Sequence, residues 1–250
     1  MIVLKLGGSA ITDKERPETV DGPALAAAAD AIATARESPE RALADRLVVV
    51  HGGGSFGHHH ASEHGVTTTD GTHDPTAVSD IHGAMGALNG FVRKRLLERD
   101  VPAVPVHPLS TAYRDETGRL EFPTGQVETL VDEGFVPVLH GDLIAHAGSG
   151  ATVVSGDELV AELARALEAE RIGLCSTVPG VLDADDAVID RIGGFEAVAD
   201  VLGESEATDV TGGMAAKVRA LLELEAEASI FGLDDLESFL TGEEPGTTVE

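Results

Sequence analysis

The feature that most restricts the fold is a strand that runs directly into a glycine-rich turn at the start of a helix. Leu47 to His51 is mostly branched and apolar, and it is followed at once by Gly52-Gly53-Gly54-Ser55-Phe56-Gly57-His58. Glycine lets the backbone approach an anion closely, and a helix N-terminus offers free N–H groups with a partial positive charge. This stretch therefore predicts an anion-binding turn, of the kind that holds a phosphate, at the end of a buried strand.

The same pattern recurs elsewhere. Residues 2–6 form a short apolar strand that Gly7-Gly8-Ser9 interrupts, and residues 136–140 form another that ends in Gly141-Asp142. Helices are predicted over 21–36, 75–99 and from Ser155 to about 168, so strands and helices alternate. This alternation predicts an α/β fold with a mostly parallel sheet covered on both faces. Ligands bind such a sheet beyond the carboxyl ends of its strands, where all three turns should lie.

The remaining segments complete the expected architecture. Residues 101–106 contain prolines and predict an edge strand, and residues 113–122 predict a hairpin. Gly148-Ser149-Gly150 predicts a turn before a brief strand at 152–154. Further helices are expected over 126–133, 196–202 and 215–227, with a strand at 172–175.

Composition narrows the class of protein. The chain has 250 residues, enough for one substantial domain, and 44 acidic against 17 basic residues give a formal charge of −27. That charge disfavours nucleic acid and anionic membranes as partners, and its even spread is typical of proteins from salt-adapted organisms. The lack of a long apolar run and of a secretory signal predicts a soluble cytoplasmic protein. The single cysteine, Cys175, should be buried and fits a reducing compartment.

The acidic bias makes the lysines informative. The chain has four of them, and Lys5, Lys14 and Lys217 each lie near a glycine turn, whereas Lys94 does not. In an average protein such residues would be ordinary solvated lysines. Phosphoryl transfer needs cations around the transferring group, because negative charge is spread over its oxygens in the transition state. The retained lysines therefore predict a phosphoryl-transfer site.

The glycine turn also allows a second interpretation. Gly52-x-Gly54-x-x-Gly57 formally satisfies the dinucleotide fingerprint, but Asp70 and Asp74 lie in a polar loop and not at the end of a second strand. A nicotinamide or flavin enzyme is therefore disfavoured, and no P-loop motif is present.

Four closely spaced histidines allow two interpretations. His58, His59, His60 and His64 could bind a metal, but no accompanying carboxylate pattern supports this, and no metal site is predicted. A histidine in the first turn after a glycine loop can instead donate a hydrogen bond to phosphate. This role is favoured for His58.

Two aspartates follow glycine, and each could simply cap a turn or a helix. In the functional alternative, Asp157 orients the lysines and Asp142 lies near the phosphate acceptor or Mg²⁺. The residues alone leave both alternatives open.

Taken together, the motifs carry a resemblance to a known family. They run in order along nearly the whole chain: residues 5–14, His51 to His58, His140-Gly141-Asp142, Ser155-Gly156-Asp157 and Asp209 to Lys217. This set resembles isopentenyl phosphate kinases, a family of the amino acid kinase fold superfamily that serves the archaeal mevalonate route. The chain departs from the family over Ser176 to Leu182, where relatives have an Asp-Val-Asp-Gly-Val-Tyr-like stretch.

The resemblance implies an open αβα sandwich forming a single kinase domain over residues 1–250. Its N-terminal lobe, about residues 1–150, would hold the phosphate acceptor. Its C-terminal lobe, about residues 151–250, would hold ATP and Mg²⁺. A homodimer is also implied.

The resemblance further assigns residues to roles. The acceptor phosphate would be bound by Gly8, Gly53, Gly54 and His58, with Asp142 beside it. The transferring phosphoryl group would be stabilised by Lys5, Lys14 and Lys217, with Asp157 orienting them. The nucleotide side would be lined by Gly7, Ser9, Ser155, Gly156, Thr211, Gly212 and Gly213.

The chemistry agrees with these residue types. A phosphate monoester has a second pKa of about 6, so the acceptor is already nucleophilic and needs no general base. The helix over residues 81–88 could supply an apolar wall for a prenyl tail, or could equally be a core stripe. Two alternatives remain: a small-phosphonate kinase of the fosfomycin type, and a non-catalytic protein that binds a nucleotide or anion.

Overall fold

The computed structural model describes residues 1–38, 44–202, 213–224 and 226–250. Its strands are β1 Ile2–Leu6, β2 Leu47–His51, β3 Ala103–Pro105, β4 Tyr113–Arg114, β5 Leu120–Glu121, β6 Val136–His140, β7 Asp142–His146, β8 Gly150–Val154, β9 Arg171–Ser176, β10 Arg191–Ile192, β11 Ala228–Gly232 and β12 Thr247–Val249. Its α-helices are α1 Gly8–Ile11, α2 Gly22–Glu37, α3 Gly54–His64, α4 Pro75–Leu97, α5 Gly125–Asp132, α6 Gly156–Ala166, α7 Ala199–Leu202, α8 Gly213–Leu222 and α9 Leu236–Thr241.

The main sheet is mostly parallel, as the sequence predicts. Its order is β10-β12-β11-β9-β1-β2-β6-β3; the six strands from β11 to β3 run parallel to one another, and β12 pairs antiparallel with β11. The predicted edge strand is confirmed as β3 at one end. Every residue of β1, β2 and β6 is buried, which places their carboxyl ends in the middle of the molecule.

Helices cover both faces of this sheet. Side chains that alternate along β1 and β2 enter two separate apolar layers. Helices α5, α6 and α8 pack on one side, and α2, α4 and α9 pack on the other. The expected αβα sandwich is therefore confirmed.

The helix starts follow from local sequence. Asp21 accepts a hydrogen bond from the Ala24 N–H at the start of α2, and Asp74 accepts one from the Thr76 N–H at the start of α4. Proline stands in the first turn of both helices, where its missing N–H costs nothing.

A second, smaller sheet was not predicted. It has the order β5-β4-β7-β8 and contains the predicted hairpin as β4 and β5. Strand β7 begins at Asp142, directly after the turn that ends β6, and pairs antiparallel with β8. This sheet stands beside the carboxyl end of β6 and adds Val153 and Val154 to the walls of the site.

Three segments differ from the prediction. The helix predicted over 215–227 runs from Gly213 to Leu222, because the chain must turn before β11 begins at Ala228. The helix predicted near 196–202 is a 3₁₀ turn followed by α7, because Val198 leaves the helical region with φ −127°. Helix α9 was not predicted. Within the described residues, every helix is too short or too polar to cross a membrane.

Candidate active site

The three glycine turns meet at one edge of the sheet, as expected. The first N–H of each turn donates to the end of the neighbouring strand: Gly7 to the Cys175 carbonyl at 2.8 Å, Gly52 to Leu6 at 3.0 Å, and Gly141 to His51 at 3.0 Å. Turns that are distant in sequence are therefore joined in a continuous row by backbone hydrogen bonds.

Glycine is required where two of these turns touch. A Cβ on Gly8 would lie 2.1 Å from the Gly54 nitrogen, and a Cβ on Gly52 would lie 2.7 Å from the Gly8 nitrogen. Gly54 also has φ +49°, a conformation that favours glycine. The starts of α1 and α3 therefore approach each other so closely that any side chain would separate them.

A cavity of about 280 Å³ opens above this row. The predicted site residues that line it are Lys5, Gly7, Gly8, Ser9, Lys14, Gly53, Gly54, His58, Asp142, Ser155, Gly156, Asp157 and Lys217. Gly213 is described and begins α8 but does not line the cavity, whereas the next residue, Met214, does. Thr211 and Gly212 lie outside the described residues.

The lysines reach the cavity from three parts of the chain. Lys5 is buried on β1, and its ammonium lies 2.6 Å from Asp157 Oδ1 in the first turn of α6. Lys14 is exposed after α1, and Lys217 is half-buried on α8. Of the alternatives left open for Asp157, this geometry favours orientation of a lysine, because its carboxylate holds Lys5 directly.

Ser155 is the N-cap of α6. Its hydroxyl accepts from the Glu158 N–H at 3.1 Å, and its own N–H donates to Glu158 Oε2 at 2.9 Å, which completes a capping box. Glu158 is held in turn by the buried Arg114 at 2.6 Å. The start of α6, with Gly156 and Asp157, is therefore rigidly placed against the cavity.

Asp142 is only 2% exposed and lines the cavity wall. It accepts a hydrogen bond from His82 Nδ1 at 2.9 Å and another from the Leu143 N–H at 2.9 Å. The bond to Asp142 raises the pKa of His82 above its usual value. This partnership stabilises a buried carboxylate, and the sequence had not revealed His82 as the partner.

The four histidines of α3 divide into two groups. His58 lies near the start of α3, beside Gly53, and lines the cavity. His59, His60 and His64 do not line the cavity, and they face Glu63 at 3.5 Å, Glu18 at 2.6 Å and Asp80 at 3.0 Å, respectively. Geometry thus distinguishes His58 from its neighbours.

A cluster of buried histidines, which no sequence motif had predicted, lies beneath the turns. His51 and His140 are fully buried, and burial lowers their pKa values to about 4 and about 3. His107 Nδ1 is 2.9 Å from His140 Nε2, and burial lowers the pKa of His107 as well. The available signal was the repeat of histidine before glycine at the ends of two strands.

Apolar side chains form the remaining wall. Ile81 and Met85 on α4 line the cavity together with Ala61 and Val153, whereas Leu88, farther along the same stripe, lies in the core. Cys175 is buried as predicted, and its burial raises the pKa of its thiol to about 12, so it adds an apolar surface.

The arrangement suits an anionic ligand with an apolar end. Glycine turns and lysines line the cavity together with aliphatic side chains. Among the described residues, no group of three histidine, cysteine or carboxylate side chains is placed to hold a metal ion.

Comparison with known proteins supports one family. The model of the amino acid kinase family matches residues 1–230. The chain is 60% identical to an isopentenyl phosphate kinase of Haloferax volcanii, covering 100% of this chain and 98% of the relative. It is 30% identical to the isopentenyl phosphate kinase of Methanocaldococcus jannaschii, covering 100% and 98%.

Comparison with solved structures points to the same family. A crystal structure of an isopentenyl phosphate kinase superposes with a TM-score of 0.84 at 29% identity and covers 100% of this chain and 99% of the other. A second, in a substrate complex, has a TM-score of 0.76 at 22% identity with 100% of both chains covered, which shows the shared fold.

Proposed function

The chain belongs to the isopentenyl phosphate kinases of the amino acid kinase family, and we propose that its cavity transfers the γ-phosphoryl group of ATP to isopentenyl phosphate. The bond from the γ-phosphorus to the bridging β-phosphate oxygen breaks, and the products are isopentenyl diphosphate and ADP. The observation that carries this proposal is the meeting of glycine turns, three lysines and an aliphatic wall in one cavity.

The acceptor phosphate binds at the turn between β2 and α3. The Gly53 and Gly54 N–H groups, the start of α1 at Gly8 and the His58 imidazole surround this position. Since the monoester is largely dianionic above its second pKa of about 6, its oxygen attacks without a general base. This fits a cavity in which Asp142 and Asp157 are engaged by His82 and Lys5.

Lys5, Lys14 and Lys217 stabilise the transferring group. Charge in the transition state spreads over the phosphoryl oxygens, and cations fixed beforehand lower its energy without reorganisation. Asp157 fixes Lys5, which gives that lysine one orientation in the resting protein.

ATP binds on the C-terminal side, against Ser155, Gly156, the Ser176 to Val178 segment and the start of α8. Mg²⁺ enters as part of the nucleotide substrate, because it keeps several waters and binds readily to phosphate oxygens. When bound, it neutralises charge on the phosphates.

The prenyl tail lies against Ile81 and Met85. Gly57 on α3 packs directly on Met85, since a Cβ there would lie 2.5 Å from the Met85 sulfur. The helices α3 and α4 therefore close the cavity tightly, and this favours a short tail over a long one. A polar amino acid acceptor would find no partners on this wall.

The remaining features are part of the same proposal. Residues 1–150 hold the acceptor and residues 151–250 the nucleotide within one domain, and the enzyme works in the cytoplasm. A homodimer would cover large apolar side chains exposed on α4, where Phe91 is 48% and Leu97 is 50% exposed. The acidic composition and the Haloferax relative support a salt-adapted enzyme.

A substrate panel tests the proposal. Purified protein at high salt is mixed with ATP, Mg²⁺ and prenyl monophosphates, phosphonates or amino acids, and isopentenyl diphosphate should form fastest. Isopentenol is the matched control: an alcohol needs a general base, and the carboxylates that line the described part of the cavity are engaged by Lys5 and His82, so isopentenol should not react. No turnover of any prenyl monophosphate would contradict the proposed function, and preference for a phosphonate would indicate the fosfomycin-type alternative.

A further inference from the structure

Two adjacent parallel strands lead into the same dipeptide. His51-Gly52 lies at the end of β2 and His140-Gly141 at the end of β6, and the two histidines are register partners. Their rings stack with centroids 5.5 Å apart, and both are 0% exposed. Neither ring lines the cavity, so neither is placed to contact a substrate there.

Hydrogen bonds determine which nitrogen of each imidazole ring carries the hydrogen. His51 Nδ1 lies 3.1 Å from the Gly52 carbonyl oxygen, and His140 Nδ1 lies 2.9 Å from the Gly141 carbonyl oxygen. A carbonyl oxygen only accepts, so Nδ1 carries the hydrogen in both rings. The low pKa values of about 4 and about 3 keep both rings neutral near neutral pH.

The opposite nitrogens are therefore acceptors, and both have donors. Asn89 Nδ2 donates to His51 Nε2 at 3.3 Å. His107 Nδ1 donates to His140 Nε2 at 2.9 Å. These contacts favour a single tautomer for each ring and fix the ring plane.

The bond to Gly52 has a consequence for the cavity. In a trans peptide the carbonyl of one residue and the N–H of the next point in opposite directions, and the described chain contains no cis peptide. Holding the Gly52 carbonyl on the side of the buried His51 ring directs the Gly53 N–H away from that ring. Gly53 lines the cavity, and its N–H has no acceptor among the described residues.

We propose that His51 is a positioning residue that holds the Gly52–Gly53 peptide plane so that the Gly53 N–H faces the acceptor phosphate. His140 holds the Gly141 carbonyl in the same way and supports the His51 ring by stacking on it. A peptide between two glycines would otherwise rotate easily, and a fixed plane lowers the cost of ordering it around phosphate. This role rests on the proposed function, since it requires the acceptor phosphate to bind at Gly53.

Two amide substitutions separate positioning from simple packing. In His51→Asn the amide nitrogen can replace Nδ1 and keep the bond to the Gly52 carbonyl. In His51→Gln the longer side chain can replace Nε2 and keep the contact with Asn89, but it loses the bond to Gly52. We expect the KM for isopentenyl phosphate to rise about tenfold in His51→Gln and much less in His51→Asn, with the KM for ATP unchanged in both.

A third variant is the control for effects that arise only from lower stability. Phe239→Leu alters a buried side chain in the helical layer over Gly173 and should lower the melting temperature without changing the acceptor KM. Equal acceptor KM values for the Asn and Gln variants would overturn the proposal. An acceptor KM that follows melting temperature in all three variants would overturn it as well.

The wild-type protein gives an independent test that needs no turnover. Long-range ¹H–¹⁵N spectra should show His51 and His140 as Nδ1–H tautomers, and inorganic phosphate should shift the Gly53 amide resonance. An Nε2–H tautomer of His51, or an unshifted Gly53 amide when phosphate binds, would refute the positioning role. Failure to turn over prenyl monophosphates would contradict the proposed function. The phosphate titration would still test the positioning role of His51, because it requires no turnover.

Discussion

The Lys5 ammonium and the Asp157 carboxylate are 2.6 Å apart, although 152 positions separate them in the chain. Strand β1 supplies the lysine and the capped start of α6 supplies the aspartate. The lysine is 9% exposed and the aspartate 17%, so solvent screens this pair less than it screens a surface pair. The pair makes Lys5 a fixed cation in the cavity wall.

Removing the aspartate charge should therefore impair catalysis. In Asp157→Asn, Lys5 loses its anchor, and we expect kcat to fall about 10- to 100-fold with a smaller change in the acceptor KM. Steady-state kinetics with varied isopentenyl phosphate would measure this. Glu162→Gln, on the same helix but in a surface pair with Arg165, is the control and should leave kcat unaltered. An Asp157→Asn enzyme with normal kcat would show that Lys5 needs no anchor.

Lys217 on α8 should act mainly in the transition state. We expect Lys217→Ala to lower kcat about 100-fold and to change the acceptor KM much less, because its charge matches the charge that develops during transfer. Single-turnover kinetics would separate chemistry from product release. The matched control is Lys94→Ala on α4, whose lysine lies outside the cavity beside Glu98. Equal losses in kcat and in acceptor affinity would argue for ground-state binding instead.

His58 should serve the acceptor and not the nucleotide. Because its ring lies beside Gly53 in the cavity, we expect His58→Ala to raise the isopentenyl phosphate KM about tenfold while the ATP KM stays nearly constant. His59→Ala, at the adjacent position and facing Glu63, provides the comparison. Unaltered acceptor kinetics in His58→Ala would move the role to His59 or His60, or remove it.

Met85 should limit the length of the prenyl tail. Met85→Ala would enlarge the apolar wall, and we expect improved kcat/KM for geranyl phosphate relative to isopentenyl phosphate. Leu88→Ala truncates a core residue of the same stripe with a similar stability cost of about 2–5 kcal/mol, and it should leave this preference alone. Competition assays with both substrates would measure the ratio, and an equal shift in the two variants would place the tail elsewhere.

The buried imidazoles should make the fold sensitive to acid. His140 has a folded pKa of about 3, well below the ordinary histidine value of 6.5, so its neutral form contributes stability above pH 6.5 that is lost as pH falls towards 3. Each such group can steepen the loss by about 1.4 kcal/mol per pH unit. His82 has a raised pKa, and its effect on stability has the opposite pH dependence. Its stabilising contribution is present below pH 6.5 and is lost as pH rises through its folded pKa.

Denaturant unfolding across this pH range would test the effect. The free energy of unfolding should fall less steeply with acid in His140→Asn than in the wild type. His73→Asn replaces an exposed histidine and should retain the wild-type slope. Identical slopes in the wild type and His140→Asn would mean that the buried ring is not a source of acid sensitivity.

Much of the scaffold could be predicted from local sequence. Asp21 and Asp74 cap helices where proline follows, and the run from Leu47 to His51 is apolar enough to be a central strand. The glycines at 52–54 marked a turn because side chains cannot fit there, as the approach of Gly8 to Gly54 shows. Two elements were not predicted because their local sequence patterns are weak: β7 follows a turn-like stretch, and α9 is short.

The sequence by itself determined which residue types are available: glycine turns, a few retained lysines and strands apolar enough to be buried. The tertiary structure alone decided which of them meet, because the order β9-β1-β2-β6 depends on long-range packing and not on any local pattern. That order aligns His51 with His140, and it sets Lys5 against Asp157. A polar contact between distant residues forms only after the backbone has placed both, so no short stretch of sequence can encode it.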